Sequence, residues 1–294
     1  VVPNIPDSET SILSFKPGDF QLFAAVAVGY VWLVGNHYSK RYRISVLVAG
    51  VSAIGIGAAL NRGGMLGAFA ILTLTAVSMR SRLKRRKYIA SLSTALIALL
   101  LVLGLSGLTI ELGVRNLSLS QLLANVASIG GEGGTQQLQG TVNWRLDYWE
   151  VIVSDTSSGD NWVAGVGYGP NLADTYGFQT SDPDSSQPLR NAHNSHVTLF
   201  ARLGFIGLAI WGALWLAIIT AALTRARSSP LTGWLLAVII GFGISAVFDP
   251  LLEGPQMAVP FWAAVGLLGS LTSKPGSAQA DQEYALTLSD RRSQ

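Results

Sequence analysis

Three arginines and a histidine are the residues best suited to chemistry in this 294-residue chain: Arg62 in Asn61-Arg62-Gly63-Gly64, Arg145 in Trp144-Arg145-Leu146-Asp147-Tyr148-Trp149-Glu150, and Arg190 and His193 in Arg190-Asn191-Ala192-His193-Asn194-Ser195-His196. A guanidinium presents a planar fork of donors that matches phosphate oxygens in pairs. Within an apolar hairpin its charge costs about 2.5–3.5 kcal/mol unless water or an anion meets it. Each arginine taken singly also fits snorkelling, or pairing with Asp147 or Glu150. Together, on one membrane face and beside a histidine, they suit an anionic lipid-linked ligand. His193 stands at a predicted helix start, where a capping role is open to it. Its ordinary pKa of about 6.5 also suits proton transfer near neutral pH.

Other motifs carry less. Gly165-Val166-Gly167-Tyr168-Gly169 is similar to a potassium filter, whose carbonyls replace ion hydration. It lacks the leading Thr and a preceding pore helix, and reads as a turn that lets backbone approach a ligand or another segment. Asp182-Pro183-Asp184 has the spacing of a metal-holding pair but lies in a Ser- and Pro-rich turn. His193 and His196 could share zinc, yet no third ligand is evident. The chain has no cysteine, which excludes disulfides, thiol nucleophiles and thiolate metal sites. No metal or other cofactor is expected.

The elements that must position these residues are membrane helices. Hydrophobic residues make up 49% of the chain and charged residues 13%, where a soluble domain carries about a quarter charged. Seven apolar segments approach or meet the length of a crossing, near Phe20–Val34, Ile44–Leu60, Met65–Met79, Ile89–Leu108, Val197–Leu223, Leu231–Val247 and Ala258–Leu271. The second and third are separated by Asn61–Gly64, read as a tight hairpin whose two glycines supply the turn. Lys40, Arg41 and Arg43, the cluster Arg80 to Lys87, and Arg225 with Arg227 fall in loops that seven alternating spans put on one side. The positive-inside rule makes that side cytoplasmic. This basic patterning anchors topology and meets anionic lipid, and nucleic acid is not an expected partner.

The expected organisation is four spans over residues 1–108, a large periplasmic loop over 109–192, three spans over 193–272 and a disordered cytoplasmic tail over 273–294. The loop is too long and too rich in aromatics for a tether. Within it, Leu117–Ile129 reads as a surface helix and a second helix opens at Trp144 and runs to about Val153. The chain begins Val1-Val2-Pro3, without a Met or a signal peptide, as a fragment or processed form would.

Four motifs in order resemble one family. Asn61-Arg62-Gly63-Gly64-Met65-Leu66, Arg145-Leu146-Asp147-Tyr148-Trp149, Gly165–Gly169, and His193-Asn194-Ser195-His196-Val197-Thr198-Leu199 with Gly204-Phe205-Ile206-Gly207 downstream are similar to the bacterial O-antigen ligases and O-antigen polymerases. The resemblance spans roughly Val46 to Gly207. It implies an all-α integral membrane protein, a multi-pass helical bundle of C-type glycosyltransferase kind with one large outward loop. It also implies an inner-membrane enzyme, active on the periplasmic face, of which about the first third is absent here. The implied activity is metal-independent, inverting transfer of a glycan from an undecaprenyl-diphosphate carrier to a lipid A-core or another glycan acceptor. Arg62, Arg145 and His193 match the family's turn arginine, loop arginine and histidine and are the expected catalytic residues. Arg190, Asn194, Tyr148, Trp149 and Gly167 are the expected substrate-binding residues. Asn61 stands where Ser is commoner, and His196 where the family often has an aromatic.

Ligase and repeat-unit polymerase differ only in acceptor and are not separated by sequence. A small-anion transporter of bicarbonate type is the alternative of another class. It is disfavoured because polar residues gather at the outer face and not in the span interiors. A structural subunit of an export complex would leave Arg62, Arg145 and His193 without a purpose.

The topology is checkable because the chain lacks cysteine. Ser157→Cys is expected to react with a membrane-impermeant maleimide in intact spheroplasts, and Ser81→Cys only after lysis.

Overall fold

A backbone that faces lipid must satisfy its own N–H and C=O groups, so apolar segments here must become helices. The computed structural model describes residues 16–33, 37–106, 110–112, 115–127, 136–179, 189–226 and 229–273. Four helices come first: α1 (Pro17–Leu33), α2 (Lys40–Leu60), α3 (Arg62–Ser78) and α4 (Arg82–Ser106). The long connection holds a short antiparallel hairpin, β1 (Ile110–Leu112) with β2 (Arg115–Leu117), then α5 (Leu119–Ala127), α6 (Gln136–Ser158) and α7 (Leu172–Thr175). Three more helices follow: α8 (Ser195–Ala226), α9 (Pro230–Ser245) and α10 (Pro255–Ser273). Each predicted apolar segment falls on one of α1–α4 or α8–α10. The stretches Lys40–Leu60, Arg82–Gly104 and Ser195–Thr224 are long and apolar enough to cross a membrane, while α3 and α9 are apolar but shorter. Asp182-Pro183-Asp184 and the polar tail lie outside the described residues.

The turn between α2 and α3 differs from expectation. It is made by Asn61 alone, in extended backbone, and both glycines belong to α3. Asn61 serves both helix ends: its N–H donates to the Gly57 carbonyl, and its side chain accepts from the Gly64 N–H at 2.9 Å. The two glycines act through packing instead. A Cβ on Gly64 would come within 2.5 Å of Gly18 Cα, and one on Gly63 within 2.6 Å of Phe248.

α1 packs along both α2 and α3, which touch each other far less than each touches α1. α3 lies against α9 with backbones in close approach, since a Cβ on Gly241 would sit 2.7 Å from the Gly67 carbonyl. Without a hydrophobic driving force between helices in lipid, such small-residue contact is what draws them together. Leu22, Ala25, Ala68, Ile71, Ile239, Phe242 and Phe261 form the main core. α4 is mostly exposed and presents Leu96, Ile97, Leu101 and Val102 outward.

The connection folds over the Asn61 end of the bundle. Asn125 of α5 is buried, and its amide donates to the Ala58 and Ala59 carbonyls at 2.9 and 2.7 Å, satisfying acceptors that the end of α2 leaves open. α6 starts earlier and runs longer than expected, because its first turns, Gln136–Thr141, have no apolar period to reveal them.

α8 is interrupted at Gly204, whose φ of 61° and ψ of −156° are open to glycine alone. The interruption exchanges helix bonds for bonds to the connection. Ala201 and Arg202 carbonyls accept from Val166 and Gly167, both at 2.9 Å, while Phe205 and Ile206 N–H groups donate to the Trp162 and Val163 carbonyls at 2.8 and 3.1 Å. Gly165 and Gly204 meet face to face, a Cβ on Gly204 falling 2.6 Å from Gly165 N. The glycine-rich turn thus approaches another segment, one of its two predicted uses.

Gly204→Ala is expected to lower stability by roughly 1–3 kcal/mol. A lower thermal midpoint in detergent, with faster proteolysis in the 161–170 segment, would show it.

Candidate functional site

The turn from Ala246 to Gly254, between α9 and α10, gathers the chemistry-bearing residues. Arg145 on α6 donates to the Phe248 carbonyl at 3.0 Å. Gly63, beside Arg62, packs on the Phe248 side chain, and its carbonyl accepts from Ser245 Oγ at 3.2 Å. At the head of α8, Ser195 N–H donates to the Ala246 carbonyl at 2.8 Å, and its hydroxyl donates to the Asp249 carbonyl at 3.2 Å. Lys16 closes the turn's far side through an ion pair with Asp249 at 2.9 Å. Arg145 and the backbone segments that carry Arg62 and His193 therefore meet one stretch, residues 245–249. Arg62 is half-buried at the first position of α3, where the helix dipole adds to its positive field.

The His193 segment is held from both sides. His193 has a φ of 49°, the left-handed conformation uncommon for residues other than glycine. Its N–H donates to Asn191 Oδ1 at 3.0 Å. Asn194 Oδ1 accepts from the His196 and Val197 N–H groups at 2.9 and 3.1 Å, which caps α8. Trp149 Nε1 donates to the Ala192 carbonyl at 2.7 Å, and the Trp144 ring lies 6.4 Å from the imidazole of His193. The half-buried, left-handed His193 turn is thus held by α6 and by the start of α8.

The other expected site residues fall into different positions. Tyr148 is fully buried, stacked on Phe178 at 4.6 Å, in a small core with Ile152, Leu172, Ala192 and Ala201. It has no surface with which to meet a ligand, so its expected direct contact is replaced by packing that seats α6 on α8. Burial there raises its hydroxyl pKa. Trp149 and Asn194 are engaged as tether and cap. Arg190 is exposed, and its carbonyl accepts from Arg202 at 3.5 Å. Gly167 has a φ of 73° with open space where a Cβ would stand. His196 is committed at both nitrogens, accepting from Trp211 Nε1 at 2.9 Å and facing the Gly243 carbonyl at 3.1 Å. Those partners fix the proton on Nε2 and remove His196 from any shared metal site. Among the described residues no three His, Asp or Glu side chains gather as metal ligands.

Two residues were missed in sequence. Arg202 is 7% exposed and donates to the Gly167 and Pro170 carbonyls at 3.0 and 2.6 Å, with its guanidinium 5.6 Å from the Tyr168 ring centre. A charge early in an otherwise apolar helix was the available signal. Glu253 lies in the 246–254 turn near Thr198 and Asn191; partial desolvation raises its pKa, opposed by those two side chains and by the charges of Arg202 and Lys16. A carboxylate between two apolar helices was the corresponding cue.

These features define a helical membrane protein whose polar site lies at one end of its bundle, where a long connection returns over the helix ends. The chain belongs to the O-antigen ligase family, which it matches over residues 46–212, more than half its length. The family is one of glycosyltransferase-like enzymes of O-antigen and related glycan synthesis. No curated protein matches the chain. The matched region holds Arg62, Arg145, Arg190 and His193 but ends inside α8, before the turn that Arg145 and the Arg62 and His193 segments contact.

Asn194→Ala should cost about 1 kcal/mol through loss of the α8 cap, and Asn194→Asp should cost much less. Thermal unfolding of the two purified variants measures the difference.

Proposed function

We propose that the chain is a membrane glycosyltransferase that moves a glycan from a polyprenyl-diphosphate carrier to a sugar hydroxyl on the periplasmic side of the bacterial inner membrane. The observation that carries this reading is the meeting of Arg145 and of the backbone segments that bear Arg62 and His193 on residues 245–249. Seven crossings, with all basic loops opposite the long connection, supply the orientation.

In the proposed reaction the acceptor hydroxyl oxygen attacks the anomeric carbon, and the bond from that carbon to the diphosphate oxygen breaks. The diphosphate leaves with the electron pair, and the hydroxyl proton passes to His193. Arg62 and Arg145 stabilise the charge that grows on the leaving diphosphate, from positions fixed before reaction. One displacement inverts the anomeric centre, and these cations supply the electrophilic assistance without a metal. Arg190, Trp149 and Gly167 line the approach for glycan and carrier, the open side of Gly167 leaving room for a sugar, while Asn194, buried as the α8 cap, steadies the His193 segment. The acceptor is lipid A-core in a ligase and another repeat unit in a polymerase. A product capped once onto core indicates the first, and growing length the second.

Arg145→Ala and His193→Ala proteins that still insert are expected to lose at least about a hundred-fold in transfer from a lipid-diphosphate glycan, the lower end of what general bases and fixed donors contribute. Wild-type turnover in either variant would remove that residue's role.

A further inference from the structure

The long connection carries an apolar tip that the proposed transfer does not use. We propose that Trp162, Val163 and Ala164 seat the connection in the bilayer, in the leaflet that it faces, with phospholipid as their partner.

The height of this tip follows from α8. His196 Nδ1 accepts from Trp211 Nε1 at 2.9 Å, although an unbroken helix would hold the two residues about 22 Å apart along its axis. The part of α8 before Gly204 therefore turns back toward the part after it, and only the second part can cross. From Phe205 to Thr224 that part rises about 30 Å, the hydrocarbon thickness of a typical bilayer. Arg225 follows at its far end, where a charge meets headgroups and water. Gly204 thus stands at the opposite hydrocarbon boundary. Trp162 and Val163 are tied to that level by their carbonyls, which accept from the Phe205 and Ile206 N–H groups at 2.8 and 3.1 Å.

The apolar surface at this level belongs to both segments. Phe205 and Ile206 are 58% and 51% exposed, and Trp162 and Val163 are 52% and 39% exposed. Leu203 and Ala164 are exposed beside them in sequence. Farther along α8 the exposure continues at Ile210, Leu216 and Leu223, residues that a crossing helix turns to lipid. The tip is therefore continuous with a lipid-facing helix, and one solvent covers both. Tryptophan suits the boundary, because its ring is apolar while its N–H can still meet headgroups and water. Asp160 and Asn161, just before the tip, are exposed and polar and mark its water side. Such seating holds the broken turn of α8 and residues 162–167 at one height in the membrane.

The chain has no cysteine, so a single label reports a single position. Trp162→Cys, Val163→Cys and, as the water-facing control, Ser157→Cys would each carry a nitrobenzoxadiazole fluorophore. Each is placed in the full chain in liposomes of phosphatidylethanolamine and phosphatidylglycerol, without polyprenyl lipid. Labels at 162 and 163 are expected to emit at shorter wavelength than the label at 157. They should lose about half their emission to phospholipid bearing a nitroxide near the top of its acyl chain, the depth of roughly 5–10 Å at which interfacial apolar groups sit. Aqueous iodide should quench position 157 and spare the other two. Both tip residues are exposed, so each variant should keep the parent's thermal midpoint, and if one does not the other decides. Iodide quenching at 162 and 163 equal to that at 157 would overturn the proposal, as would protection from both quenchers, which would bury the tip in protein. Protection that disappears on dilution with lipid would give the surface to a second copy of the chain. Nitroxide quenching that appears only after polyprenyl phosphate is added would give it to that lipid, and either result overturns the assignment to phospholipid.

Discussion

The interruption of α8 at Gly204 is the constraint from which the site follows. A helix near lipid cannot leave carbonyls and N–H groups open, since each unsatisfied group costs several kcal/mol. The four groups released there, on Ala201, Arg202, Phe205 and Ile206, are all taken up by residues 162–167. Helix and connection thus require each other: without the connection α8 would close into a regular helix, and without the break the connection would have no backbone to pair with. Arg202 reinforces the junction by reaching from the broken turn to Gly167, Pro170 and Arg190. The small core of Tyr148, Ile152, Leu172 and Ala201 then packs α6 down onto α8. Arg145 is carried on that helix, so its aim is inherited from the break.

A second junction places the charges relative to one another. The residues after α9 present main-chain carbonyls to Arg145 and Ser195 and a side chain to Gly63. Main-chain acceptors at a tight turn move little, which would suit the fixed guanidinium that the proposed reaction assigns to Arg145. The close backbone approach of Gly67 to Gly241 fixes α3 against α9, so Arg62 at the head of α3 keeps its distance from the same turn.

Hydropathy made helices α1–α4 and α8–α10 legible, because apolar runs of that length leave the backbone few alternatives. The His193-Asn194 pair was legible as a helix start, since an Asn before an apolar run caps it. The turn at Asn61 was assigned to its glycines because glycine is the usual turn residue. One Asn side chain that caps one helix while its backbone ends the other leaves no compositional mark. Tyr148 looked like a ligand-facing aromatic, and only its stacking on Phe178, a neighbour distant in sequence, shows otherwise. Arg202 and Glu253 escaped notice because their meaning lies in partners from other elements. The break at Gly204 escaped because glycine is common inside membrane helices, where most such residues mark close packing.

The pairing of residues 162–167 with the broken turn of α8 also governs when the site can come into being during synthesis. The connection is made before Phe205 and Ile206, so its backbone must wait for partners that emerge only as α8 enters the bilayer. The carbonyl that Arg145 needs, on Phe248, is later still. Arg145 and the segments that carry Arg62 and His193 therefore reach their common turn only after α9 has been laid down, and a chain released before that point would carry every matched motif of its family without that turn.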